Sequence, residues 1–147
     1  RTNFVLTQFV FWLLAAPDGH AKNFSIQHRR GGRFGMTPLY DVLSAWPIIG
    51  HGRNQLHIDK AKLAMAQHAE RAHYRINEIQ SQHWRALAGR TAVRGIWNCL
   101  QELVESARSA LERLERTIPA TFPERISTSI RDGVRHQALR FEQAPVR

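Results

Sequence analysis

At 147 residues and 43% hydrophobic content, the chain suffices for one domain with a real core, spanning residues 1–147, and nothing in it marks a second. Its longest apolar run, around Phe9 to Ala16, falls far short of the ~20 residues a bilayer span needs and lacks a signal-peptide cleavage site. A single cysteine, Cys99, cannot close an internal disulfide, so a reducing cytoplasm is the expected setting, with Cys99 a buried structural thiol. The net charge of +9 is mostly arginine, with lysine only at 22, 60 and 62. Such a charge favours acidic partners such as nucleic acid, ATP phosphates or an acidic protein face. Arginines spread along solvated helix faces explain it equally well.

Phe4, Val5, Phe9, Trp12 and Leu13 recur at helical spacing, which predicts a mostly buried helix over residues 3–16. Pro17 ends it, because proline cannot continue a helix and biases Ala16 away from it. Phe24 to Gln27 and Arg33 to Met36 read as two short strands around the Arg29-Arg30-Gly31-Gly32 turn. From Thr37 the chain is irregular through Trp46-Pro47 and the Ile49 to Gly52 loop. Asp59 is a plausible cap for a helix through Lys62, Leu63 and Met65. Another helix is expected from about Asn77 to Ala88, ended by Gly89. Thr91 then caps the longest helix, whose apolar stripe runs Val93, Trp97, Leu100, Val104, Ala107, Leu111, Leu114 and Ile118 until Pro119 stops it. A last helix starts near Pro123 with Ile126, Ile130, Val134, Ala138 and Phe141 as its stripe, and the tail Ala144 to Arg147 is expected to fray. The fold class is therefore mainly α with one short β-hairpin.

The stretch Pro17 to Ile26 carries the chemistry. It sets Asp18, His20, Lys22 and Asn23 within six residues, between an apolar run and a short strand. A second acid, Asp41, follows the hairpin. An acid, an amide five residues on and a further acid after a hairpin is a spacing used for phosphoryl transfer. Asp18 would orient an attacking hydroxyl and take its proton, and Lys22 would neutralise charge on the phosphoryl group. Asn23 and Asp41 would supply the two oxygens that Mg²⁺ needs from protein while it holds ATP. His20 belongs on the cofactor side of the loop, ordering it by hydrogen bonding. The plainer reading is that Asp18-Gly19 is only a turn and Asn23 its partner. The remaining histidines, at 28, 51, 57, 68, 73, 83 and 136, show no metal-binding spacing. The four tryptophans suit core packing.

Asp18 to Ser25 (DGHAKNFS) and Thr37 to Ser44 (TPLYDVLS) together resemble the C-terminal lobe of the HipA-like serine/threonine kinases, the toxin halves of bacterial toxin–antitoxin pairs. His57 to Met65 (HIDKAKLAM) and the FPERI run from Phe122 are similar to the family as well. One departure is Gly19, where many relatives carry a larger polar or basic side chain, which leaves the loop more flexible. The resemblance implies the helical C-terminal lobe of a protein-kinase-like fold that uses ATP and Mg²⁺. It also implies a role in persistence, an aminoacyl-tRNA synthetase serine as substrate, and an antitoxin partner with a DNA-binding domain. Lipid and sugar kinases use comparable loops, so the substrate class rests on the resemblance alone. No glycine-rich phosphate loop or strand lysine precedes Asp18, so the nucleotide-clamping lobe is expected to lie outside this chain. The chain alone is then folded, helical and catalytically silent, with an apolar patch near Phe4, Phe11 and Trp46 where that lobe packed. The alternative is a noncatalytic binding module, docking an antitoxin or DNA through its arginines.

Overall fold

A computed structural model of the chain describes residues 2–143. Four helices and two small antiparallel sheets make up the described residues: α1 Thr2–Leu13, β1 Ile26–His28, β2 Phe34–Met36, β3 Lys62–His68, β4 Ala72–Arg75, α2 Ser81–Arg90, α3 Ile96–Thr117 and α4 Glu124–Glu142. Mainly α holds, but there are two hairpins rather than one. The tail Ala144 to Arg147 lies outside the described residues. Among the described residues no helix is long and apolar enough to cross a membrane.

The core is built around α1. It carries almost no charge because it is covered nearly all round: Val5, Thr7, Gln8, Phe9, Phe11, Trp12 and Leu13 are all buried. Phe9 meets Trp84 of α2 and Phe141 of α4 edge-on, at centroid distances of 5.0 and 4.9 Å. The Trp12 indole N–H donates to the Ile76 carbonyl, and Gln137 of α4 donates back to the Trp12 carbonyl. On α3 the buried residues are Ile96, Leu100, Val104 and Leu111, so the stripe holds in the middle. Leu114 at its far end is 48% exposed. There Glu115 holds Arg131 and Arg135 of α4. Gly133 lets α4 close on the core: a Cβ there would lie 2.2 Å from the Trp46 ring.

Several expected boundaries move. The helix expected over Asp59 to Met65 is strand β3, paired with β4. Lys, Ala, Leu and Met favour helix intrinsically, but here burial of Leu63 and Gln67 on one face and pairing with Ala72–Arg75 override propensity. Asp59 caps no α-helix; it accepts a hydrogen bond from the Asn77 carboxamide, which is therefore not available to cap α2. That helix starts at Ser81, and Gly89 lies inside its last turn. Thr91 closes α2, its hydroxyl donating to the Ala88 carbonyl, while α3 starts after Gly95 at φ 75°. Cys99 is half-buried, more open than expected. The apolar patch expected at Phe4, Phe11 and Trp46 does not form: Phe11 is 2% exposed, and the Trp46 ring packs on Gly133. Of the three only Phe4 is exposed, and other exposed apolar residues, among them Ile26, Phe34, Leu39, Tyr40, Leu43 and Ile48, gather on the first hairpin and the segment after it.

Candidate active site

The site begins where α1 stops. The helix ends at Leu13, before Pro17, in a left-handed turn: Ala16 N–H donates to the Phe11 carbonyl, Ala15 N–H to the Trp12 carbonyl, and Ala15 has φ 48°. Glycine is usual in such a C-terminal motif, and alanine pays about 1–2 kcal/mol for the left-handed geometry. The Leu13 carbonyl and those of the turn just beyond it are capped from 30 or more residues away. Ser44 Oγ donates to Leu14 at 2.6 Å, Ala45 N–H to Ala15 at 3.0 Å and the Trp46 indole N–H to Leu13 at 2.9 Å. One segment therefore satisfies the helix end and holds the chain just after Asp41 in place.

The loop itself is compact. Gly19 is buried against Phe11, and a Cβ added there would sit 2.2–2.8 Å from that ring. The glycine thus tightens the loop onto α1 rather than loosening it, contrary to the flexibility expected from the missing side chain. Gly19→Ala is expected to destabilise the fold by about 1–3 kcal/mol through overpacking, read as a lower midpoint of urea unfolding; an unchanged midpoint would show that Phe11 yields freely. Phe24, just past the loop, rests on Phe4 and Phe11 at centroid distances of 5.0 and 5.8 Å.

Within the loop, Ala21–Asn23 forms one 3₁₀ turn. Asn23 is 3% exposed, and its carboxamide is used at both ends. His20 N–H donates to Asn23 Oδ1 at 3.1 Å, and Asn23 Nδ2 donates to Asp41 Oδ2 at 3.1 Å. Asp41 has φ 56°, a left-handed conformation that aspartate tolerates better than most side chains. Asp18 lies beside His20, with Oδ1 3.6 Å from Nε2. His20 Nδ1 is buried without a hydrogen-bond partner among the described residues. The structure thus joins Asn23 to Asp41 and Asp18 to His20. Among the described residues no hydrogen bond or ion pair links Asp18 or the exposed Lys22 ammonium directly to the Asn23–Asp41 pair.

Three positioning residues carried no role in the sequence reading. Tyr40 Oη donates to the Lys22 carbonyl at 2.9 Å and lies 2.8 Å from Ser25 Oγ, lacing the post-hairpin segment to the loop. Ser25 and Ser44 complete that lacing. Their one sequence signal is adjacency, since Tyr40 precedes Asp41 and Ser25 follows Asn23 by two. Tyr40→Phe is expected to cost only about 1 kcal/mol of stability, because its bonds are exposed. It should also sharpen amide exchange of Asp41 and Val42, measured by hydrogen–deuterium exchange. Unchanged exchange would mean that the Asn23 bond alone holds Asp41.

Chemically, the pair presents hard oxygen donors. Asp41 keeps one carboxylate oxygen free, and Asn23 Oδ1 keeps a lone pair beyond the one taken by His20 N–H. Such a set suits a divalent cation that takes few protein ligands and fills the rest with water or phosphate. Comparison with known families adds an independent finding. The family model for the HipA-like C-terminal domain matches residues 1–122, which takes in the loop, both hairpins, α2 and α3 and stops just short of α4. With most of its length matched, the chain belongs to the HipA-like C-terminal domain family.

Proposed function

We propose that residues 1–147 form the helical lobe of a serine/threonine protein kinase in a toxin–antitoxin system, using ATP and Mg²⁺. The observation that carries this reading is the 3.1 Å hydrogen bond between Asn23 and Asp41, residues 18 apart that the hairpin brings together. Asp18, with its carboxylate in solvent, orients the acceptor serine or threonine hydroxyl and accepts its proton. His20 flanks that carboxylate and orders the loop through its backbone N–H. Lys22 places an ammonium where charge develops on the phosphoryl group. Asn23 and Asp41 would hold the metal through their free oxygen lone pairs, and the ion would there supply positive charge against the phosphates. The protein substrate, which the family resemblance makes an aminoacyl-tRNA synthetase, docks on the Asp18 side, and an antitoxin with a DNA-binding domain holds the toxin.

The noncatalytic reading, docking of an antitoxin or DNA, draws on Arg29, Arg30 and Arg33, all exposed around the tip of the first hairpin. It makes no use of the Asn23–Asp41 pair, which separates the two. In the complete protein, Asp41→Ala should weaken Mn²⁺ binding in the presence of ATP by about tenfold or more, one lost ligand being worth at least 1.4 kcal/mol. Electron paramagnetic resonance of free Mn²⁺ reads this directly. Equal binding by the variant would refute the kinase assignment of this pair.

A further inference from the structure

Away from the Asp18 loop, a cleft of about 570 Å³ opens between the β3–β4 turn and the first turn of α2. Glu70 and Arg71 line it from the turn, His73 from β4, and Gln82 and His83 from α2. The rings of His73 and His83 are stacked, with centroids 3.9 Å apart and planes at 19°. His73 is only 6% exposed, and its ring lies against that of His83. His83 Nδ1 accepts from the Gln80 N–H at 3.1 Å, which leaves Nε2 as the nitrogen that carries hydrogen in the neutral ring. The Gln82 carboxamide stands 3.5 Å from that Nε2. Donors thus converge on one hollow at the positive end of a ten-residue helix.

We propose that this cleft is a proton-linked site for a tetrahedral oxyanion of the phosphate type, held by Arg71, the His73–His83 stack and the first turn of α2. Two imidazoles in face-to-face contact resist carrying two positive charges unless a counter-charge lies beside them. A dianion in the cleft supplies it, so anion and proton bind together. The surrounding charge agrees in sign. Arg71 lines the cleft, and Arg90 reaches across to the Ala69 carbonyl. Among the residues named as lining it, Glu70 is the one acid, and it opposes an anion. Glu78, the other carboxylate within electrostatic reach of His73, is engaged by Arg75. Burial first, then His73 and Arg71, hold the His83 imidazole below its ordinary value, with Glu70 pulling the other way. An empty cleft therefore favours the neutral His83 ring, and affinity for a dianion rises as falling pH lets the occupied cleft take up its proton.

Sulfate is the probe, because its charge is the same at about pH 5.5 and 7.5 and any pH dependence then belongs to the protein. The imidazole C–H resonances of His73 and His83 are followed by NMR in the purified protein, with ionic strength held by chloride. The expected result is saturable shifts at both rings at the lower pH and about tenfold weaker binding at the higher one, the loss of one charge-assisted contact. Arg71→Gln should weaken sulfate binding and Glu70→Gln strengthen it, both being exposed substitutions that leave the core alone. Absent shifts, equal affinity at both pH values, or indifference to Arg71→Gln would overturn the proposal. Equal saturable shifts from acetate would overturn the tetrahedral assignment and make the cleft a carboxylate site.

Discussion

Asp18→Asn in the complete protein is expected to lower phosphoryl transfer to a protein serine by about 10²–10⁴-fold, the usual worth of a positioned general base. Thermal stability should barely move. The Asp18 side chain is 68% exposed, and its one described partner is the half-exposed His20 at 3.6 Å, a surface pair worth about 1 kcal/mol at most. The contrast is Asn23→Ala, which should damage both properties. Asn23 is buried, and its loss leaves a cavity, takes one of the two acceptors from the His20 N–H and removes the bond that holds Asp41. Radiolabelled phosphoryl transfer beside thermal unfolding of the two variants separates chemistry from folding. Near-normal transfer by the Asp18 variant would move the chemistry elsewhere and favour the binding-module reading.

The grouping of Asn23 with Asp41 was legible because a hairpin between them has few ways to return the chain. Once Ile26–His28 pairs with Phe34–Met36, the residues flanking the strands are neighbours. The apolar stripes were legible where one core covers them, in Leu100, Val104 and Leu111 of α3 and Val134, Ala138 and Phe141 of α4, but not at their ends, where Leu114 is exposed and Ile126 and Ile130 are only half-buried. What failed was local where a competing partner lay far off in sequence. Lys62 to Met65 read as helix because each residue favours one alone, and nothing nearby announces pairing with Ala72–Arg75. Asn77 looked like a helix cap because its partner, Asp59, is 18 residues upstream. Gly19 looked like slack because the Phe11 ring that fills its space belongs to the preceding helix. The capping of α1 by Ser44 and Trp46 was invisible likewise, since a helix end shows its unsatisfied carbonyls but not which distant donors find them.

That dependence of the loop on the core sets the largest expected stability effect. Trp12 is fully buried in the last turn of α1, within 5.8 Å of both Phe9 and Trp84, and its indole N–H reaches Ile76 between β4 and α2. Arg140 of α4 lies 6.0 Å from its ring and donates to the carbonyls of Asn77 and Ile79, so the indole touches the point where three elements meet. Trp12→Ala removes that contact and leaves a cavity, which costs about 3–5 kcal/mol. Against a total stability of about 5–15 kcal/mol, this is enough to lower the melting temperature by roughly 10 °C. Trp12→Phe keeps most of the packing and loses the bond to Ile76, so about 1–2 kcal/mol is expected. Because Trp12 immediately precedes the turn that launches the Asp18 loop, the alanine variant should also loosen Ala15 to Asn23 at temperatures where the rest of the fold survives. Hydrogen–deuterium exchange on both variants tests this. If the alanine variant loses protection in the loop no sooner than in α3, the loop's order comes from the Ser44 to Trp46 clasp rather than from the end of α1.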